Sequence, residues 1–176
     1  MTQPFRIRDL RAEEAVELGR LMMEVYSQLE GFPTPTEQPK YYELLVDIGR
    51  FAEQPDARVL VALTAQDELA GGVVYFGDMA EYGSGGTATA ERNASGIRLL
   101  GVSPRVRGQG VGQALILACV QLAKERGHGQ VILHTTEAMR VAWRLYERLG
   151  FVRSEDLDFA QQDLPVFGFR LGLGRA

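Results

Sequence analysis

The sequence predicts an α/β domain on a mixed central sheet of about six to seven strands, with helices on both faces. Three observations carry that expectation. The second half alternates apolar runs of strand length with helical patterns, β-α-β-α, which requires a parallel pair joined by a right-handed crossover. The first half places two helical patterns ahead of two short β-branched and aromatic runs separated by a polar turn, the mark of an antiparallel hairpin. The chain has 176 residues, 45% hydrophobic and 24% charged. That is enough for one core and leaves little room for a second, so residues 1–176 are expected to form one domain.

The elements follow in order. Phe5, Ile7 and Leu10 make a short opening strand. Ala15, Leu18, Met22, Val25 and Leu29 recur at helical spacing and predict a helix over 12–29. Gly31-Phe32-Pro33-Thr34-Pro35 breaks it, and Tyr41, Leu44, Leu45, Ile48, Phe51 and Ala52 predict a second helix. Val59–Leu63 and Gly72–Phe76 form the hairpin across Thr64–Glu68. From Gly77 to Ser95 the residues are small or polar, which predicts a long loop, either a surface excursion or a substrate lid. Ile97–Val102 is a buried strand, stopped by Ser103-Pro104 because proline cannot continue a central ladder. Val111, Leu115, Ala118, Cys119 and Leu122 share one face of a helix over Gly110–Gly127. Val131–Thr135 is the next strand. Ala138, Ala142, Leu145 and Leu149 give a last helix capped by Gly150, and Phe151-Val152 and Val166–Leu173 close the sheet.

Charge and composition exclude several functions. Lys plus Arg number 19 against 23 Asp plus Glu, a net charge of −4 with no basic run, which does not suit a phosphate backbone; no nucleic-acid partner is expected. One cysteine cannot close an internal disulfide, and two histidines with dispersed carboxylates do not suggest a metal site. No stretch is apolar enough to span a membrane and the first residues lack the apolar core of a signal peptide, so a cytoplasmic location is expected.

The chemistry is concentrated in Leu99-Leu100-Gly101-Val102-Ser103-Pro104-Arg105-Val106-Arg107-Gly108-Gln109-Gly110-Val111-Gly112. A strand runs into a glycine-rich turn that opens a long helix. The first N–H groups of that helix lack intrahelical acceptors, the macrodipole adds about half a positive charge, and glycines admit an anion to the backbone. Arg107 adds a cation, and together they make a pyrophosphate cradle. A P-loop is excluded because no Lys-Ser or Lys-Thr follows the glycines. The dinucleotide fingerprint fails because position 113 is Gln.

The pattern Val102-x-Pro-x-x-Arg107-Gly-x-Gly110-x-Gly112 resembles the acetyl-CoA-binding motif of the GCN5-related N-acetyltransferase (GNAT) superfamily. Ala142-Trp143-Arg144-Leu145-Tyr146-Glu147-Arg148-Leu149-Gly150-Phe151 resembles that family's later A-x-x-L-Y-E-x-x-G-F segment, one strand and one helix downstream. The close resemblance covers Ile97 to Phe151. It implies a GNAT-like sheet splayed at the cofactor site and transfer of an acetyl group from acetyl-CoA to a primary amine by direct attack, without a metal. The backbone of Leu100 and Val102 would meet pantetheine and the thioester oxygen; Arg107, Gly108, Gln109, Gly110, Val111 and Gly112 would hold the pyrophosphate. Tyr146 would protonate the leaving thiolate, a transfer between groups of similar pKa.

Each assignment has a plainer rival. Tyr146 could be a core aromatic, Arg107 a solvated surface charge and Cys119 a small core residue. The chain departs from the family pattern at Met139, where many members carry Asn, and at Gly96, where many place a Glu as general base. The base is therefore open between His134 and Glu91, with Asp78 and Glu81 at the start of the loop as further candidates, and His134 has a structural reading of its own. The expected acceptor is a small-molecule or peptide amine. Asp78, Glu81, Glu91, Glu155, Asp156 and Asp158, all in unassigned loops, suggest a cationic one. The sequence is also compatible with a homodimer, with a longer acyl donor, and with a module that binds acyl-CoA with little or no catalysis.

Overall fold

The apolar runs become strands and helix faces in the computed structural model, which describes residues 5–174. The strands are β1 (Arg6–Asp9), β2 (Ala57–Leu63), β3 (Leu69–Phe76), β4 (Ala94–Val102), β5 (Gln130–Thr135), β6 (Val152–Arg153), β7 (Phe159–Gln161) and β8 (Leu164–Gly172). The helices are α1 (Ala15–Ser27), α2 (Pro39–Val46), α3 (Val111–Glu125) and α4 (Arg140–Arg148). Strand order is β1-β2-β3-β4-β5-β8-β6, with β7 paired to β8. The sheet is mixed, as the alternation of patterns required: β4 and β5 are parallel, while β1 with β2 and β8 with each of β5, β6 and β7 are antiparallel. The chain forms two compact units, one of residues up to Val74 with Leu99–Ile116, the other of Tyr75–Arg98 with residues from Leu117 onward.

In the first unit, α1 buries Leu18 and Met22 completely. They close over glycines: a methyl on Gly72 would come 2.8 Å from Leu18 Cδ1, and one on Gly101 would collide with Met22 Sδ. One continuous second helix was expected from Tyr41 to Ala52. Instead α2 stops at Val46, and Ile48–Glu53 continues as a 3-10 helix. Three residues per turn stack Ile48 directly under Phe51, and both are buried.

In the second unit, the segment from Gly77 to Ser95 is more ordered than its composition suggested. Met79–Glu81 and Ala88–Ala90 are 3-10 turns, and Met79, Tyr82 and Ala88 are fully buried. Thr87 Oγ1 donates to the Asp156 carbonyl at 3.0 Å, and β4 begins at Ala94, ahead of the expected Ile97. The reason is compatibility of size and polarity. Ser95 is buried between Tyr75 Oη and His128 Nδ1, 2.8 Å from each, and Gly96 leaves the space that the Tyr82 ring fills. A further strand, β7, lies in a stretch too polar and short to show a period; it pairs Phe159 with Val166 across a turn where Gln162 has φ 56°.

Candidate active site

The cradle begins with a change of partner along β4. Its parallel ladder with β5 runs from Ala94↔Gln130 to Ile97↔Leu133. β5 continues to Thr135 against β8, while Leu99–Val102 have no β5 partner in the register. Just past the end of that ladder, Leu99 takes φ 60°, a left-handed conformation rare for a branched residue, which kinks the strand. Tyr26 Oη donates to the Leu100 carbonyl at 2.7 Å. Ser103 N–H then returns to the Ala70 carbonyl at 2.8 Å, and Ser103 Oγ accepts from Arg105 N–H at 3.3 Å, starting the turn Pro104–Val106.

Arg107, Gly108, Gln109 and Gly110 are exposed. Gly108 and Gly110 have φ 80° and 86°, which fixes glycine there, and a methyl on either would meet nothing within 4 Å. The ladder of α3 begins with Ala114 N–H on the Gly110 carbonyl at 3.0 Å, so the N–H groups of Val111, Gly112 and Gln113 precede it. Arg107 pairs with no acid among the described residues. An open, positively polarised turn with a guanidinium beside it suits a diphosphate.

Tyr146 lies on α4 and is 5% exposed, its ring 5.9 Å from Phe151 and 6.4 Å from Phe169. Gly150, at φ 99°, donates to Glu147, and Phe151 N–H donates to the Tyr146 carbonyl at 3.0 Å. This is a Schellman cap with its usual apolar contact, and it accounts for the spacing of Tyr146, Gly150 and Phe151.

His134 has both ring nitrogens engaged. Nε2 is 2.9 Å from the Leu157 carbonyl and must carry the hydrogen, so in the neutral ring Nδ1 accepts from Tyr82 Oη, also 2.9 Å away. Burial pushes the imidazole below its ordinary range, with Arg98 acting in the same direction and the Leu157 bond and Asp158 opposing. Glu91 is held by Arg170 at 2.7 Å. That arginine also binds Asp156, Ser154 and Gln130. Arg153 pairs with Asp158 at 2.8 Å, and Asp78 caps Ala80 N–H at 2.9 Å. Most of the loop acids that suggested a cationic acceptor are thus engaged within the protein.

The departure from the family pattern at Gly96 has a local cause. Any side chain on Gly96 would collide with the Tyr82 ring. Met139 precedes α4, with its sulfur 3.5 Å from Thr135 Oγ1. Tyr26, Tyr82 and Arg170 were not anticipated as parts of these networks, although a glycine inside the β4 pattern was a signal of close approach. Cys119 is fully buried. Among the described residues, no cluster of His, Cys, Asp or Glu could hold a metal, and no helix is long and apolar enough to cross a membrane.

Among curated relatives, an uncharacterized N-acetyltransferase, YjgM of Escherichia coli K12, is 32% identical over 123 residues, 68% of this chain and 71% of that one. A mycothiol acetyltransferase of Thermobispora bispora is 47% identical over 57 residues, 32% of this chain. That match spans only 19% of the relative's length. Among solved structures, a GNAT-family acetyltransferase of Staphylococcus aureus Mu50 aligns with a TM-score of 0.74 at 16% identity, over 97% of this chain and 99% of its own. PaiA N-acetyltransferase of Thermoplasma acidophilum, solved in complex with coenzyme A, aligns at 0.68 with 18% identity over 93% and 97%. The model of the acetyltransferase (GNAT) family matches residues 22–151, and the chain belongs to that family.

Proposed function

We propose that the protein transfers an acetyl group from acetyl-CoA to a primary amine on a small molecule or peptide. One observation carries the reading: β4 leaves β5 after Ile97 and runs directly into the open Arg107–Gly112 turn at the start of α3. Family membership and the coenzyme A complex of the T. acidophilum relative support it.

Acetyl-CoA, as the donor substrate, supplies the thioester that the amine attacks. Arg107, Gly108, Gln109, Gly110, Val111 and Gly112 bind its diphosphate through backbone N–H groups and one charge-assisted bond. The strand backbone at Leu100 and Val102 binds the pantetheine arm and stabilises charge on the carbonyl oxygen. The Tyr146 hydroxyl protonates the departing thiolate. The amine arrives as an ammonium at neutral pH and must lose a proton. His134 and Glu91 are the two groups proposed to take it. Each already has a partner, Tyr82 for His134 and Arg170 for Glu91.

The test is release of free thiol from acetyl-CoA with a panel of small-molecule and peptide amines, cationic and neutral. Turnover that depends on the amine supports the reading. Tight binding of acetyl-CoA without turnover on any amine would instead make the chain a binding module.

A further inference from the structure

We infer that Tyr26 is a positioning residue that sets the backbone of β4 for the donor's pantetheine arm; this rests on the reading of Leu100–Gly112 as the acetyl-CoA site. Leu99 has a φ of 60°, a conformation that a leucine keeps only when its surroundings impose it. The β5 ladder cannot impose it, because the register with β5 ends at Ile97.

α1 adds a constraint to the one that β3, the neighbour of β4 on its other edge, supplies. Tyr26 Oη donates to the Leu100 carbonyl at 2.7 Å, and Tyr26 is buried. A peptide unit is planar, so holding the Leu100 carbonyl also holds the Gly101 N–H that points the opposite way. One helical turn earlier, Met22 packs on Gly101, where a methyl would collide with its sulfur. Met22 and Tyr26, four residues apart, thus grip consecutive residues of the strand. Gly101 lies between Leu100 and Val102, the two proposed backbone contacts of the donor.

The aim of the hydroxyl is itself fixed. The Tyr26 ring lies 5.7 Å from Phe32 and 6.0 Å from Tyr41, and Phe32 and Tyr41 lie 5.7 Å from each other. Three aromatic rings in mutual contact leave Tyr26 little freedom to turn away. The hydroxyl does no chemistry in this role; it keeps the strand past Leu99 in one conformation before the donor binds, which lowers the ordering cost of binding.

Tyr26→Phe keeps the ring and removes the hydroxyl. Its affinity for acetyl-CoA is measured by calorimetry, and its affinity for 3′-phospho-ADP, the nucleotide half of the donor, by competition. The expected result is a loss of about three- to tenfold for acetyl-CoA, with the nucleotide half unchanged because the Arg107–Gly112 turn still holds it. Unchanged acetyl-CoA affinity overturns the inference, and so does equal weakening of both ligands, which would mean general loosening of the fold. A parent protein that binds neither ligand overturns the acetyl-CoA reading and this inference with it.

Discussion

The Phe151 N–H closes on the Tyr146 carbonyl at 3.0 Å while the two rings sit 5.9 Å apart. Backbone and ring of Tyr146 therefore have a structural purpose of their own, the capping of α4. The proposed chemistry belongs to the hydroxyl, and that makes the two roles separable by one atom.

Tyr146→Phe should retain the cap and ring contacts and melt close to the parent. Steady-state turnover on an active amine should fall by about 10² to 10⁴, the usual contribution of a positioned general acid, with acetyl-CoA affinity nearly unchanged. Unchanged kcat with chemistry rate-limiting would return the proton to solvent.

Arg170 joins Glu91, Asp156, Ser154 and Gln130. Arg170→Ala should cost about 1 kcal/mol in denaturant unfolding, since it leaves the part-buried Glu91 without its cation. Hydrogen exchange should accelerate in residues 77–95 more than in β5. Uniform acceleration would show that the arginine supports the whole unit rather than this segment.

His134 binds a proton less readily in the folded protein than in the unfolded chain, because burial disfavours the imidazolium. As pH falls below its ordinary value of 6.5, the unfolded chain takes up the proton first and stability declines. The melting temperature of the parent should therefore drop between about pH 7 and pH 5 relative to that of His134→Gln. Parallel pH profiles would contradict this. Turnover of the same variant reports on the base: a fall of about 10²-fold or more would assign the amine's proton to His134, and near-parental turnover leaves it to Glu91.

Arg107 is exposed and without an acidic partner among the described residues, so Arg107→Ala should fold as the parent does. Acetyl-CoA binding should weaken by about 1–3 kcal/mol. S-acetyl-pantetheine, which lacks the phosphates, should bind both proteins alike. Equal losses for the two ligands would remove Arg107 from the diphosphate site.

The sequence was most legible where local rules act alone. Gly108, Gly110 and Gly150 were readable because a positive φ leaves glycine as the ordinary choice, and Val111 to Leu122 because a long helix repeats its period several times. Tyr82 and Tyr26 were not legible. Tyr82 sits among small and polar neighbours, and its burial depends on Gly96, distant in sequence. Tyr26 followed Met22 by four residues on the same face, yet its bond to Leu100 crosses 74 positions. The acids of the two loops read as a charge pattern, but Arg153 and Arg170, which engage Glu91, Asp156 and Asp158, lie on strands outside those loops.

The central claim is that the turn between β4 and α3 holds acetyl-CoA. Its most direct test is calorimetric titration of acetyl-CoA into the parent and into Gly110→Glu. A methyl at Gly110 meets nothing within 4 Å, so the variant loses about 1–2 kcal/mol to its φ of 86° and remains folded, while its carboxylate occupies the place of the diphosphate. Saturable binding to the parent and none to the folded variant is the expected result. Equal affinity of the two proteins for acetyl-CoA would contradict it.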